Sequence, residues 1–444
     1  MTVTETGAID ETPTGPTAPG LTPAQRLKAI LGGSAGNLVE WYDWSAYIFF
    51  TVYFASHFFP EGDQTAQLFK AAAVSAVGFL ARPVGAWLMG AYADRAGRRA
   101  ALTLSVAMMC AGSLIIALAP TYAQVGALAP AILLGARILQ GLSVGGEYGA
   151  SATYLSEVAG RKNRGFWASF QYVTLIAGSL SAQGLVVILQ WLMPEADLKE
   201  WGWRIPFFIG AALAVVVFWL RSGIHESPGF ENARAAGAAR GKTMLLFVKH
   251  PKQTLMVMGL TAGGSLAYYV YTSYMQKFLI NTTGFSKETA SQVMVAALFC
   301  FMLMQPLFGW ISDKVGRKPL LLFAYGGGML ATWPLLTAIA GATNAFAAFG
   351  LIMIALTFQS GYSSISGLFK AEMFPAHIRA LGVALPYALA NSIFGGSAEA
   401  VALSFKADGV ESNFYIYVTA ILLVGFITVI LLPDTKTTSL IEED

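Results

Sequence analysis

Charge is what this sequence has least of. Only 12% of its 444 residues are Asp, Glu, Lys or Arg, about half the share of a soluble protein. Hydrophobic residues make up 55%, and the mean hydropathy is +0.58. That balance excludes an ordinary water-soluble domain and implies a polytopic membrane protein. Cysteine is nearly absent: Cys110 and Cys300 both fall in apolar runs, so no disulfide is expected. The four histidines (His57, His225, His250 and His377) lie near membrane ends or in loops, without the spacing of a metal site. No phosphate-binding glycine loop occurs, so ATP is not the expected energy source. Without a nucleophile–base set or a metal set, an enzyme is not expected either. The first twenty residues are rich in Thr, Pro and Gly, carry Glu5, Asp10 and Glu11, and lack a basic signal-peptide start. They read as a disordered cytoplasmic tail.

What is present is a series of apolar runs. Windows of about 19 residues give twelve spans, at 27–54, 66–92, 100–119, 127–155, 165–191, 204–222, 252–280, 288–311, 319–340, 345–370, 380–404 and 412–432. Each is near or above the ~20 residues that cross a bilayer. With the N-terminus inside, twenty lysines and arginines fall on the inner side, Lys370 among them, and six on the outer, Lys277 among them. That bias places both termini in the cytoplasm. The expected organisation is a tail at 1–26, a six-span half at 27–222, a basic linker at 223–251, a second half at 252–433 and a tail at 434–444.

The most unusual stretch runs from Arg137 to Ser156. At 100° per residue, Arg137, Gln140, Gly141, Val144, Glu147, Tyr148 and Ser151 share an arc about 120° wide. Beside it, Gly141, Gly145 and Gly149 repeat at the spacing that lets two membrane helices approach closely. Span one carries a similar stripe of Asn37, Glu40, Asp43, Trp44 and Tyr47. A charge at bilayer depth costs several kcal/mol unless it meets a partner or a cavity, so each is a functional candidate. A buried carboxylate beside a guanidinium is poised to take and give a proton, which makes Glu40, Asp43 and Glu147 candidate proton carriers. The alternative is a permanent structural ion pair with Arg82 or Arg137. Arginine offers a planar fork to carboxylates and keeps its charge. Arg82, just ahead of Pro83, and Arg137 can therefore hold a dianion between them, with Tyr47 beside them. Span seven adds Tyr268 and Tyr271 at depth, where a phenol needs a partner. Tyr274 and Lys277 read as anchors at the membrane interface. Gln305, Asn391 and Glu399 are either lining residues or glue between helices.

The pattern G-x-x-x-D-R/K-x-G-R-R/K occurs twice, at 90–99 after span two and at 309–318 after span eight. This internal repeat supports two parallel halves. Asp94 and Asp313 can cap or pair at helix ends while Arg98 and Arg317 reach across the surface, forming a gate on that side. The repeated loop resembles the signature of the major facilitator superfamily, as does R-x-x-Q-G from Arg137 to Gly141. The motifs at 36–43, 82–83, 145–149 and 201–207 resemble its metabolite:proton symporters. Those at 169–176, 274–277 and 394–399 are similar to the branch that carries α-ketoglutarate.

The resemblance implies an all-α integral membrane protein, with twelve transmembrane helices in two pseudo-symmetric six-helix bundles. It implies proton-coupled uptake of a dicarboxylate, 2-oxoglutarate first, with no cofactor beyond the proton gradient. Alternatives are another small carboxylate, a zwitterion such as betaine or proline, and, more remotely, a membrane sensor. The expected partners are substrate, protons and the lipid bilayer, without nucleic acid, for a monomer in the cell inner membrane.

Overall fold

The computed structural model describes residues 23–96, 98–145, 161–222, 249–375 and 378–441, with isolated positions between 145 and 161. Among these, side chains are described from residue 36 onward, apart from 90, 91, 93–103, 161 and 217–248. The expected tail before residue 23 and most of the linker at 223–251 therefore lie outside the described residues. Every regular element among the described residues is helical.

Twelve helical segments follow the apolar runs in order. They are α1 Pro23–Phe58, α2 Gln64–Ala96, α3 Arg98–Leu118, α4 Leu128–Val144 with further helical positions to 156, α5 Arg164–Leu192 and α6 Ile205–Ser222. The second half holds α7 over 251–281, α8 Lys287–Val315, α9 Arg317–Ala340, α10 Ala345–Glu372, α11 over 379–407 and α12 Glu411–Leu431. The outer surface is studded with large apolar side chains such as Trp191, Leu192, Leu330 and Phe346. Lipid tails solvate such groups, while each helix satisfies its own backbone. Five-residue π-helical turns interrupt α7 at Val270–Tyr274, α9 at Phe323–Gly327 and α11 at Asn391–Gly395. Each widens the coil locally and rotates the residues beyond it.

In the first half α1 packs along α5, α2 along α4 and α3 along α6. In the second, α7 packs on α11 and α12, and α8 on α10. The halves meet along two seams, α5 on α8 and α2 on α11. Glycine makes the close seams possible. A Cβ on Gly141 would lie 2.0 Å from the Gly78 carbonyl oxygen, and one on Gly145 would lie 2.2 Å from that of Arg82. The four-residue spacing in α4 therefore faces α2 and fixes Arg82 relative to Arg137; Gly149 lies outside the described residues. Across the seam, Gly165 and Gly309 put backbone against backbone, with built Cβ atoms 2.5 and 2.4 Å from the opposing carbonyl oxygens. On the other seam, Ser392 donates to the Phe79 carbonyl at 2.7 Å.

Candidate functional site

Two arginines converge on one indole. The guanidinium of Arg82 in α2 lies 4.1 Å from the Trp44 ring centroid, and that of Arg137 in α4 lies 3.6 Å from it. Phe79 supports Arg82 at 4.1 Å, and Tyr47 supports Arg137 at 4.2 Å. Exposure is 5% for Arg82 and 0% for Arg137. Arg137 donates to Gln140 Oε1 at 2.9 Å and to Ser75 Oγ at 3.1 Å. Nε and Nη2 of Arg82 and Nε of Arg137 find no hydrogen-bond acceptor. Among the described residues, neither guanidinium has a carboxylate within ion-pair distance. Stacking on a ring is worth about 0.5–2 kcal/mol, against several kcal/mol for burying each ion. The aromatic rings orient these cations without balancing their charge.

In place of the alternative, a direct ion pair between Asp43 and a guanidinium, there is a relay. Asp43 accepts from Ser113 Oγ and from Gln140 Nε2, and the same Gln140 receives Arg137. Asp43 is thus joined to Arg137 through an amide and turned into the first bundle, beside Gly210. Its stripe on α1 divides accordingly. Trp44 and Tyr47 lie under the guanidinium groups, Asn37 bonds Thr174 of α5 at 3.2 Å, and Asp43 faces the bundle interior. Tyr47 spends its hydroxyl on the Ala71 carbonyl at 2.9 Å, so it offers Arg137 a ring face. Glu40 is buried and close enough to Tyr269 to act on it electrostatically.

The second half contributes Tyr268 and Tyr269. Tyr268 meets Trp41 and Tyr172 edge-on, with centroids at 6.4 and 5.8 Å. Tyr269 stacks on Trp41 at 6.2 Å and meets Phe79 edge-on at 5.3 Å. Both hydroxyls, together with the Asn391 side-chain amide, are buried without a hydrogen-bond partner. Tyr271, expected to face the same space, instead donates to Thr332 Oγ1 at 3.2 Å inside the second bundle. The π turn that starts at Val270 rotates it off the face that holds Tyr268. Tyr269, Gln140 and Ser75 went unassigned in the sequence. Tyr269 lay in view within the tyrosine run, and Gln140 on the arc of Arg137. Gln305 is glue: it donates to the Phe301 carbonyl at 2.9 Å and accepts from Ser363 at 2.7 Å.

Between the halves lies a cavity of about 20 Å³, room for about one water, lined by Ser75, Phe79, Tyr269, Ser273 and Glu399 among others. The halves touch on both sides of it. At the end that carries the repeated loops, Asp313 accepts from the backbone N–H groups of Gly165 and Phe166 at 2.7 and 2.9 Å. A carboxylate of one half thus caps the start of a helix in the other, where the helix dipole favours negative charge. Arg317 holds that carboxylate at 3.0 Å and reaches Glu372 at 3.4 Å. The side chains of Asp94 and Arg98, and all of Glu147, lie outside the described residues.

At the opposite end, Lys277 is fully buried rather than an interfacial anchor. It pairs with Glu399 at 2.7 Å and donates to the Ile48 carbonyl of the other half at 2.8 Å. Lys287 crosses to Glu195 at 2.6 Å in the loop before α6. Lys287 and Lys199 hold that exposed carboxyl below its usual range. The arrangement is occluded, closed above and below the arginine pair.

The chain is similar to known membrane transporters. The chain is 53% identical over 410 residues to the alpha-ketoglutarate permease of Escherichia coli, covering 92% of this chain and 94% of that protein. It is 33% identical over 407 residues to the citrate-proton symporter of Salmonella typhi, covering 89% and 91%. It is 30% identical over 420 residues to a proline/betaine transporter of Salmonella typhimurium, covering 92% and 83%. The solved structure of a proton:xylose symporter of the major facilitator superfamily shares the fold, with a TM-score of 0.75 at 19% identity over 94% of this chain and 98% of that one. The family pattern described as "Sugar (and other) transporter" matches residues 29–242 and again 231–444. The chain belongs to that family of membrane transporters, and its two six-helix halves are the two units of the major facilitator fold.

Proposed function

We propose that this protein is a symporter that carries a dicarboxylate together with a proton, with 2-oxoglutarate as the first candidate substrate. The observation that carries the reading is the pair Arg82 and Arg137, buried, stacked on Trp44 and lacking a described carboxylate partner. Two fixed positive charges with N–H groups to spare suit two carboxylates, and each charge-assisted bond is about twice as strong as a neutral one. Trp41, Phe79, Tyr268 and Tyr269 provide apolar walls for a short carbon chain, and the two phenols and Asn391 can hydrogen-bond it. The named activities of the permease and the citrate-proton symporter point the same way.

Proton coupling runs through carboxylates of the apolar spans, with Glu40, Asp43 and Glu147 as the carriers. A proton on Asp43 removes the negative end of the Asp43–Gln140–Arg137 relay, leaving Arg137 short of compensation until the substrate supplies it. Loading both then lets the halves, residues 27–222 and 252–433, rock until the Asp313 latch opens. The proton gradient supplies the energy. The protein sits in the inner membrane with both termini in the cytoplasm and works as a monomer.

Purified protein in liposomes should accumulate labelled 2-oxoglutarate when the outside is made acidic. Uptake indifferent to the imposed pH gradient would sink the coupling, and competition by betaine or proline in place of dicarboxylates would sink the substrate class. A cysteine replacing Lys242 should react with an impermeant thiol reagent only from the cytoplasmic face.

A further inference from the structure

A further buried cation lies away from the arginine pair. Lys370, near the end of α10, has 0% exposure. Its ammonium donates to Ser366 Oγ at 2.9 Å and to the hydroxyls of Tyr148 and Tyr362 at 3.4 Å each. It also lies 4.4 Å from the Tyr387 ring centroid. No described carboxylate pairs with it. Glu372, two residues on, is committed to Thr435 at 2.6 Å and to Arg317 at 3.4 Å. The contrast with Lys277, equally buried but paired with Glu399 at 2.7 Å, is direct. Hydroxyls and rings orient an ammonium, but they do not replace an anion in a low-dielectric setting.

The lid over Lys370 is shared by the two halves. Tyr148 comes from α4 and Tyr387 from α11, and their rings stack face to face with centroids 3.6 Å apart. Tyr148 also bonds Ser366 at 3.3 Å. Gly367 presses against the first half so closely that a Cβ there would lie 2.3 Å from Gln171 Oε1. Along α4, Tyr148 lies eleven residues past Arg137, about 16 Å further towards the Asp313 latch. When the halves part at that end, the tyrosine stack must break. The Lys370 ammonium is then uncovered on the route from the arginine pair to the cytoplasm.

We propose that Lys370 is a carboxylate-binding station on the cytoplasmic half of the transport path, engaged by the departing dicarboxylate once the Tyr148–Tyr387 stack opens. The inference rests on the dicarboxylate reading above. The station acts on one face only, because in the closed and outward-facing arrangements the stack covers it. Its anion partner is the substrate, so its contribution appears in saturation from the cytoplasmic side.

The test measures the concentration dependence of 2-oxoglutarate transport from each face, using right-side-out and inverted vesicles of the full chain. Lys370→Gln should raise the half-saturating concentration about tenfold or more at the cytoplasmic face and leave the outer face within about twofold. Lys370→Arg should recover most of the loss. Melting of the purified protein gives a second readout: Lys370→Met, which removes an uncompensated charge, should hold or raise Tm. A Lys370→Gln variant unchanged at both faces, or impaired equally at both, overturns the proposal. So does a fall in Tm for Lys370→Met, which would make the lysine a strut. Wild-type vesicles that carry no dicarboxylate defeat the substrate reading and this inference with it. Wild-type transport with unaltered asymmetry in Lys370→Gln defeats this inference alone.

Discussion

The buried cations near the middle of the molecule and those at its two closed ends are managed in opposite ways. Lys277 and Arg317 carry their own carboxylates, Glu399 at 2.7 Å and Asp313 at 3.0 Å, and both groups reach backbone of the other half. Arg82 and Arg137 have rings, one amide and one hydroxyl, and no described carboxylate. A paired ion is satisfied inside the protein and ties helices together. An unpaired one retains most of its desolvation cost until an anion arrives, so binding that anion gains what folding left unrecovered. On the proposed reading, gates and binding site are made from the same residue types and differ in where the negative charge comes from.

The comparison breaks most sharply at the centre. Arg137→Gln or Arg82→Gln should lower 2-oxoglutarate uptake about a hundredfold or more, since a desolvated charge contact is worth about 2–5 kcal/mol. Tm of the purified protein should stay the same or rise, because no ion pair among the described residues is lost. A fall in Tm would place these arginines with the structural pairs. At the latch, Asp313→Asn removes the charge from the capped helix of the other half and should slow uptake roughly tenfold. In a background free of Cys110 and Cys300, a Ser169→Cys probe behind the latch should then react faster with a thiol reagent added from the cytoplasm. Unchanged reactivity would mean that the cap is not what holds the halves together. Lys277→Met strands Glu399 and should destabilise the protein by about 3 kcal/mol. The double change Lys277→Met with Glu399→Gln should return most of that. A double variant no more stable than the single would separate the two residues.

Spans and halves were legible in the sequence because hydropathy and a repeated basic loop are signals along one dimension. The arginines stood out for the same reason, as charges inside apolar runs. Their partners did not. The Gln140–Asp43 contact joins positions 97 residues apart, and no periodicity within one helix reveals which neighbour a polar arc will face. Counting basic residues put Lys277 and Lys370 at wet surfaces, since the count treats any lysine near a span end as solvated. Burial of both depends on the opposite half covering them. Tyr271 was misdirected by a different cause: a helical wheel assumes an even turn, and the π turn at Val270–Tyr274 is not one.

The smallest effect is expected at the outer rim, where the comparison is weakest because water competes. Glu195 bridges Lys287 of the other half at 2.6 Å and Lys199 at 2.9 Å, but 45% of its side chain is exposed. Such a pair contributes about 0.5 kcal/mol, so Glu195→Gln should change uptake less than about twofold at neutral pH. The two lysines depress the Glu195 carboxyl, so its stabilising share is complete above the ordinary glutamate range and disappears as the pH falls through the lowered value. Any difference between wild type and Glu195→Gln should accordingly shrink with acidification and with added salt. A larger effect that survived high salt would mean that Lys287 and Glu195 form a true gate, and that pairing at this end counts for as much as it does at the latch.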